Sequence, residues 1–73
     1  MSKLPQVSGA DVVRALQKIG FSVRRQHGSH IIMRRDELFA QTVVPNHKQI
    51  DRGTLRAILR QTDLSVDAFA DLL

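Results

Sequence analysis

The segment 21–34, FSVRRQHGSHIIMR, decides the fold. Phe21, Ser22, Val23 and Arg24 alternate apolar with polar, the period of a half-buried strand, which turns Phe21 and Val23 inward and Arg24 outward. Gly28 takes positive φ without steric cost and Ser29 can bond its own backbone, so His27-Gly28-Ser29 reads as a tight turn. A second strand, His30 to Arg34, then closes a hairpin. Successive side chains on it point to opposite faces, so His30, Ile32 and Arg34 share one face and Ile31 and Met33 the other. Three apolar residues in a row leave open which face is buried.

Working outward, Arg35-Asp36-Glu37 forms a polar connection. Leu38 to Val44, apolar and β-branched, reads as a third strand ending at Pro45. Asn46 to Ile50 is a loop. Asp51 then caps a helix, with Ile50 and Leu55 placed as a hydrophobic staple and Leu55, Ile58 and Leu59 forming its apolar stripe. On the other side of the hairpin, Ser8 and Asp11 make a capping pair for a helix whose Val12, Val13, Leu16 and Ile19 line one face and which Gly20 stops. Ser65 caps a last short helix with Val66, Phe69, Ala70 and Leu73 on its apolar side and Asp67 and Asp71 on its polar side, loosely docked. Helix, three strands, helix and a short C-terminal helix is an α+β order: a three-stranded antiparallel sheet with helices on one face, the other face free to bind.

The chain has 73 residues and is read as one domain, 1–73, with a thin core. It has no cysteine, hence no disulfide framework and no thiolate metal site. No apolar run approaches the roughly 20 residues that span a bilayer, and the N-terminal stretch lacks the apolar region of a secretion signal. A reducing, cytoplasmic setting fits these features, and membrane insertion does not. The net charge of +4 is unevenly placed: basic side chains dominate residues 1–35, where Asp11 is the single acid, while acids gather toward the C-terminal end. Such asymmetry suits a polyanion at one surface, because neutralising phosphates releases counterions and steers encounter. Ordinary solubility charge is the alternative.

His30 stands at the junction of turn and strand, where the Gly28 and Ser29 backbone lets a ligand come close. Imidazole hands protons in either direction near neutral pH, which is worth about 10²- to 10⁴-fold in rate. RNA carries its own nucleophile, the 2′-hydroxyl. His30 would take that proton or protonate the leaving 5′-oxygen, with Arg24, Arg34 or Arg35 stabilising charge on the phosphorane. A histidine so placed is nonetheless more often a surface or core side chain, and residue chemistry alone does not establish an enzyme. His27 and His30 have no third ligand near them in sequence, so no metal site is expected.

His47, after Pro45, is placed to cap backbone groups, contact phosphate, serve as a second proton donor, or simply stand in a loop. Arg52, Arg56 and Arg60 recur every four residues along one face of their helix, facing phosphates, an acidic partner or only solvent. With no Tyr or Trp, and three Phe mostly on apolar faces, backbone and shape recognition outweighs stacking on bases. Three readings stay open: a histidine ribonuclease, a non-catalytic module for double-stranded RNA, and a module docking its arginines on an acidic protein.

Three short motifs resemble the HicA toxin family: Gly28-Ser29-His30, Val44-Pro45-Asn46-His47, and Gly53-Thr54-Leu55-Arg56-Ala57-Ile58-Leu59 followed by Gln61-Thr62-Asp63-Leu64-Ser65. The likeness runs from the first helix, which ends Ile19-Gly20-Phe21, to the Phe69 and Leu73 tail, and so covers nearly the whole chain. It implies a fold like a double-stranded-RNA-binding domain and a metal-independent endoribonuclease, or mRNA interferase, that needs no cofactor. It also implies a HicB-type antitoxin that covers the active site in a hetero-oligomer, and it maps the family's catalytic histidine onto His30. Two departures stand out. Ile31 occupies a position where many relatives carry a second histidine, and the strand ends Arg34-Arg35. A second proton carrier would then be His47, water or the substrate itself.

Overall fold

The computed structural model describes residues 3–73. Its elements are α1 (Gly9–Gln17), β1 (Ser22–His27), β2 (His30–Arg35), β3 (Ala40–Pro45), α2 (Arg52–Gln61) and α3 (Val66–Ala70). Each helix starts where its cap stands. Ser8 Oγ accepts from the Asp11 amide and the Asp11 carboxylate accepts from the Ser8 amide, a complete capping box. The Ser8 amide, and after it the Ser8 hydroxyl, hydrogen-bond to the charged carboxylate and hold the Asp11 carboxyl below its ordinary value, with Arg14 adding a smaller pull. At the starts of α2 and α3 the Asp51 and Ser65 side chains accept from the Thr54 and Ala68 amides, the one-way form of the same cap. Gly20, at φ 96°, ends the turn that follows α1.

The three strands form one antiparallel sheet in the order β1-β2-β3. Ile31 and Met33 are buried while His30 is exposed, which settles the face that three consecutive apolar residues had left open. The helices therefore cover the side carrying Ile31, Met33, Thr42 and Val44. The opposite side is open and carries three cross-strand rows: His27–His30–Pro45, Arg25–Ile32–Val43 and Ser22–Arg34–Gln41. In β1 the register slips between Val23 and Arg25, so Arg24 is the extra residue of a bulge.

Val23 was expected to be buried. It lies across from Met33 on the helix side, yet it is 43% exposed, because β1 is an edge strand that α1 covers only in part. Phe21, just before the strand, is buried as expected. The third strand begins at Ala40, two residues later than its apolar sequence suggests. Leu38 and Phe39 lie instead in the turn 36–39, with Leu38 at φ 57°, and both are largely exposed. Phe39 is thus the one phenylalanine that is not on a buried face.

The core joins Val12, Ala15 and Leu16 of α1, Ile31 and Met33 of β2, Val44 of β3, and Leu55, Ile58 and Leu59 of α2. Ile50 and Leu55 are both buried, as a hydrophobic staple requires. Leu4 and Val7, ahead of α1, are core residues too. The C-terminal helix is anchored more firmly than its short length suggests. Phe69 is fully buried, and Lys18 Nζ donates to the Leu72 carbonyl at 2.7 Å, although Ala70 and Leu73 on its expected apolar side are exposed. Two buried hydroxyls are satisfied: Thr42 donates to Gln61 Oε1 at 2.6 Å, and Thr62 to the Ile58 carbonyl at 2.8 Å.

Candidate active site

A two-residue turn, Gly28-Ser29, brings His27 and His30 opposite each other as the closing pair of the hairpin. Gly28 has φ 57° and Ser29 does not share the positive φ, the arrangement of a hairpin turn whose first central residue must be glycine. A Cβ at Gly28 would meet nothing within 4 Å, so it is backbone conformation and not space that asks for glycine.

The next strand brings in the second motif. Pro45 pairs with His30 across the sheet, and the Asn46 amide donates to the Ser29 carbonyl at 2.6 Å. The loop that carries His47 is fixed from behind: Gly9 N–H donates to the His47 carbonyl at 2.8 Å and Ile50 N–H to the Val7 carbonyl at 2.8 Å. Gly9 has no room for a side chain, since a Cβ there would lie 2.1 Å from the Pro45 carbonyl oxygen. Gly28, Ser29, His30, Pro45, Asn46 and His47, distant in sequence, are thereby gathered at one end of the sheet. His27, His30 and His47 are all exposed there.

The candidate arginines divide. Arg25 stands on the open face in the row next to His30, about 7 Å along the sheet at roughly 3.3 Å per residue. Arg34 is on the same face one row further, about 13 Å from His30 by the same spacing. Its Nε lies 2.8 Å from Asp36 Oδ1 with its N–H not aimed at that oxygen, an ionic contact more than a hydrogen bond. Arg24, on the bulge, is 3.8 Å from the same carboxylate.

Arg35 is not brought to His30. It lies on the helix side, where its guanidinium sits 4.7 Å over the Phe21 ring and donates to the Leu38 and Ile19 carbonyls. Arg52, Arg56 and Arg60 are exposed along α2, in the helix layer and off the open sheet face. Arg52 is nearest the His47 loop, while Arg56 and Arg60 border a shallow depression shared with Leu64 and Val66.

Neither Arg25 nor His27 was among the site residues expected from the sequence, where His27 was weighed only as a turn residue and a metal ligand. A signal for His27 was present, because a two-residue turn necessarily faces its flanking residues at each other. None existed for Arg25, whose side of the sheet is set by the bulge. Among the described residues no three His, Cys, Asp or Glu side chains gather closely enough to hold a metal ion, and no helix is long and apolar enough to cross a membrane.

No curated protein matches the chain. The family model described as HicA toxin of bacterial toxin-antitoxin matches residues 9–64, a span that takes in the hairpin turn, the Pro45–His47 loop and all of α2. With its α-β-β-β-α order and open sheet face, the chain belongs to the HicA toxins of bacterial toxin-antitoxin systems.

Proposed function

We propose that this toxin is a metal-independent endoribonuclease that cleaves mRNA, with His30 as general acid or base. The observation that carries the reading is the position of His30. It is exposed at the mouth of the open sheet face, held between the glycine turn and Pro45 and within two rows of Arg25 and Arg34. The 2′-hydroxyl supplies the nucleophile, His30 moves a proton at one end of the displacement, and the arginines of the open face hold the phosphate chain. Arg24 and Arg34, already near Asp36, contribute less net charge to that path than Arg25. His47 and the Asn46 backbone border the substrate on the β3 side. The α2 arginines lie outside this path and suit the antitoxin, for which we infer a HicB-type protein with acidic side chains that covers His30 in the complex.

The test is incubation of the purified chain and its His30→Ala variant with a defined mRNA in EDTA, with chemical mapping of the new 3′-ends. The native chain is expected to leave cyclic or 3′-phosphate ends, and His30→Ala to lose about 10²- to 10⁴-fold in rate with an unchanged melting temperature. Equal cleavage by both proteins would remove His30 from the chemistry. RNA binding without cleavage would make the chain a binding module.

A further inference from the structure

Cleavage of RNA by its own 2′-hydroxyl needs two proton transfers, one at each end of the displacement. With Ile31 after His30, the position next in sequence offers no second imidazole. The fold supplies one from across the hairpin. His27 and His30 are direct cross-strand partners, both exposed, on the same side of the sheet and at its open end. Side chains so paired have Cβ atoms about 5 Å apart, near enough for two rings to flank one phosphate group. Arg25 lies on that side in the next row, placed for the non-bridging oxygens. His47 lacks such a partnership: its loop is pinned through its backbone, and no register ties its ring to His30.

Building on the ribonuclease reading, we propose that His27 is a second catalytic residue, and that the His27–His30 pair divides the two proton transfers. His30 takes the 2′-hydroxyl proton as the O2′–P bond forms. Protonated His27 gives its proton to the 5′-oxygen as the P–O5′ bond breaks. The products are a 2′,3′-cyclic phosphate and a 5′-hydroxyl, with one proton gained by His30 and one lost by His27, to be exchanged back through water before the next turnover.

The experiment compares single-turnover cleavage of one mRNA-derived oligonucleotide in two forms. One has the natural 5′-oxygen at the scissile linkage and the other a bridging 5′-sulfur, which leaves as a thiolate and needs no proton. On the oxygen form, His27→Ala and His30→Ala are each expected to lose about 100-fold or more. On the sulfur form, His27→Ala should recover and His30→Ala should not. Recovery of His30→Ala alone would keep the pair and exchange the two roles. Native-rate cleavage of the oxygen form by His27→Ala and by a second variant, His27→Gln, overturns the inference, as does a loss in His27→Ala that sulfur restores in neither variant or in both. The ribonuclease reading fails separately, if the native chain itself binds the oxygen form without cleaving it.

Discussion

The sheet has two turns at opposite ends, built in opposite ways. Gly28-Ser29 joins β1 to β2 with two residues, a glycine where φ is positive, and a further hydrogen bond from Asn46. Asp36–Phe39 joins β2 to β3 with four residues and puts a leucine, not a glycine, at φ 57°, leaving Leu38 and Phe39 in solvent. Side chains that could do chemistry are at the first turn, and a strained backbone position is at the second. A β-turn becomes a precise platform when other parts of the chain lock it. Where the ties are side chains instead of backbone, Arg35 to the Leu38 and Ile19 carbonyls and Arg24 and Arg34 to Asp36, departures from good turn chemistry are tolerated.

The sharpest way to break that contrast is Gly9→Ala. In a helix, alanine normally gains up to about 1 kcal/mol over glycine. Here its Cβ would collide with the Pro45 carbonyl, so the change should instead destabilise by about 3 kcal/mol, the upper range for forced overpacking. Urea unfolding gives the sign directly, and a gain in stability would mean that the lock behind the His47 loop is slack.

Gly28→Ala acts on the locked turn itself. With nothing for the methyl to touch, its cost is the backbone term alone, about 1–2 kcal/mol for a side chain in the left-handed region. Cleavage should fall further than stability does, because the turn sets how His27 faces His30, and parallel melting and rate measurements separate the two effects. The smallest change is expected at the other end. Leu38→Gly relieves a left-handed leucine but loosens the unfolded chain, a net gain of about 0.5 kcal/mol with cleavage unaltered. A loss of activity there would show that the two ends are coupled.

Much of this arrangement was legible in the sequence, and what was not has identifiable causes. Ser8, Asp51 and Ser65 announce their helices because a cap needs a side-chain oxygen at one position, and Gly20 and Gly28 announce turns because few other residues take their φ. His30 at the turn followed from Gly28. Its neighbourhood with Pro45 and Asn46 depends on the β2–β3 register, which no local pattern states. Leu38 and Phe39 look like strand and are not, since propensity gave way to the reach of a four-residue turn. Leu4 and Val7, beside Pro5, offered no periodicity by which to place them in the core. Val23 misled because alternation gives a side and not a cover, and on an edge strand the two differ.

The bulge at Arg24 also affects how this protein keeps to itself. Every residue of β1 is exposed, and an edge strand with free amides and carbonyls invites another chain to extend the sheet. An extra residue in mid-strand breaks the even spacing of those groups, two adjacent arginines repel a second copy, and at the opposite edge β3 closes with a proline that has no amide to offer. The irregularity that carries Arg25 to the open face thus also guards a small protein against strand-to-strand aggregation.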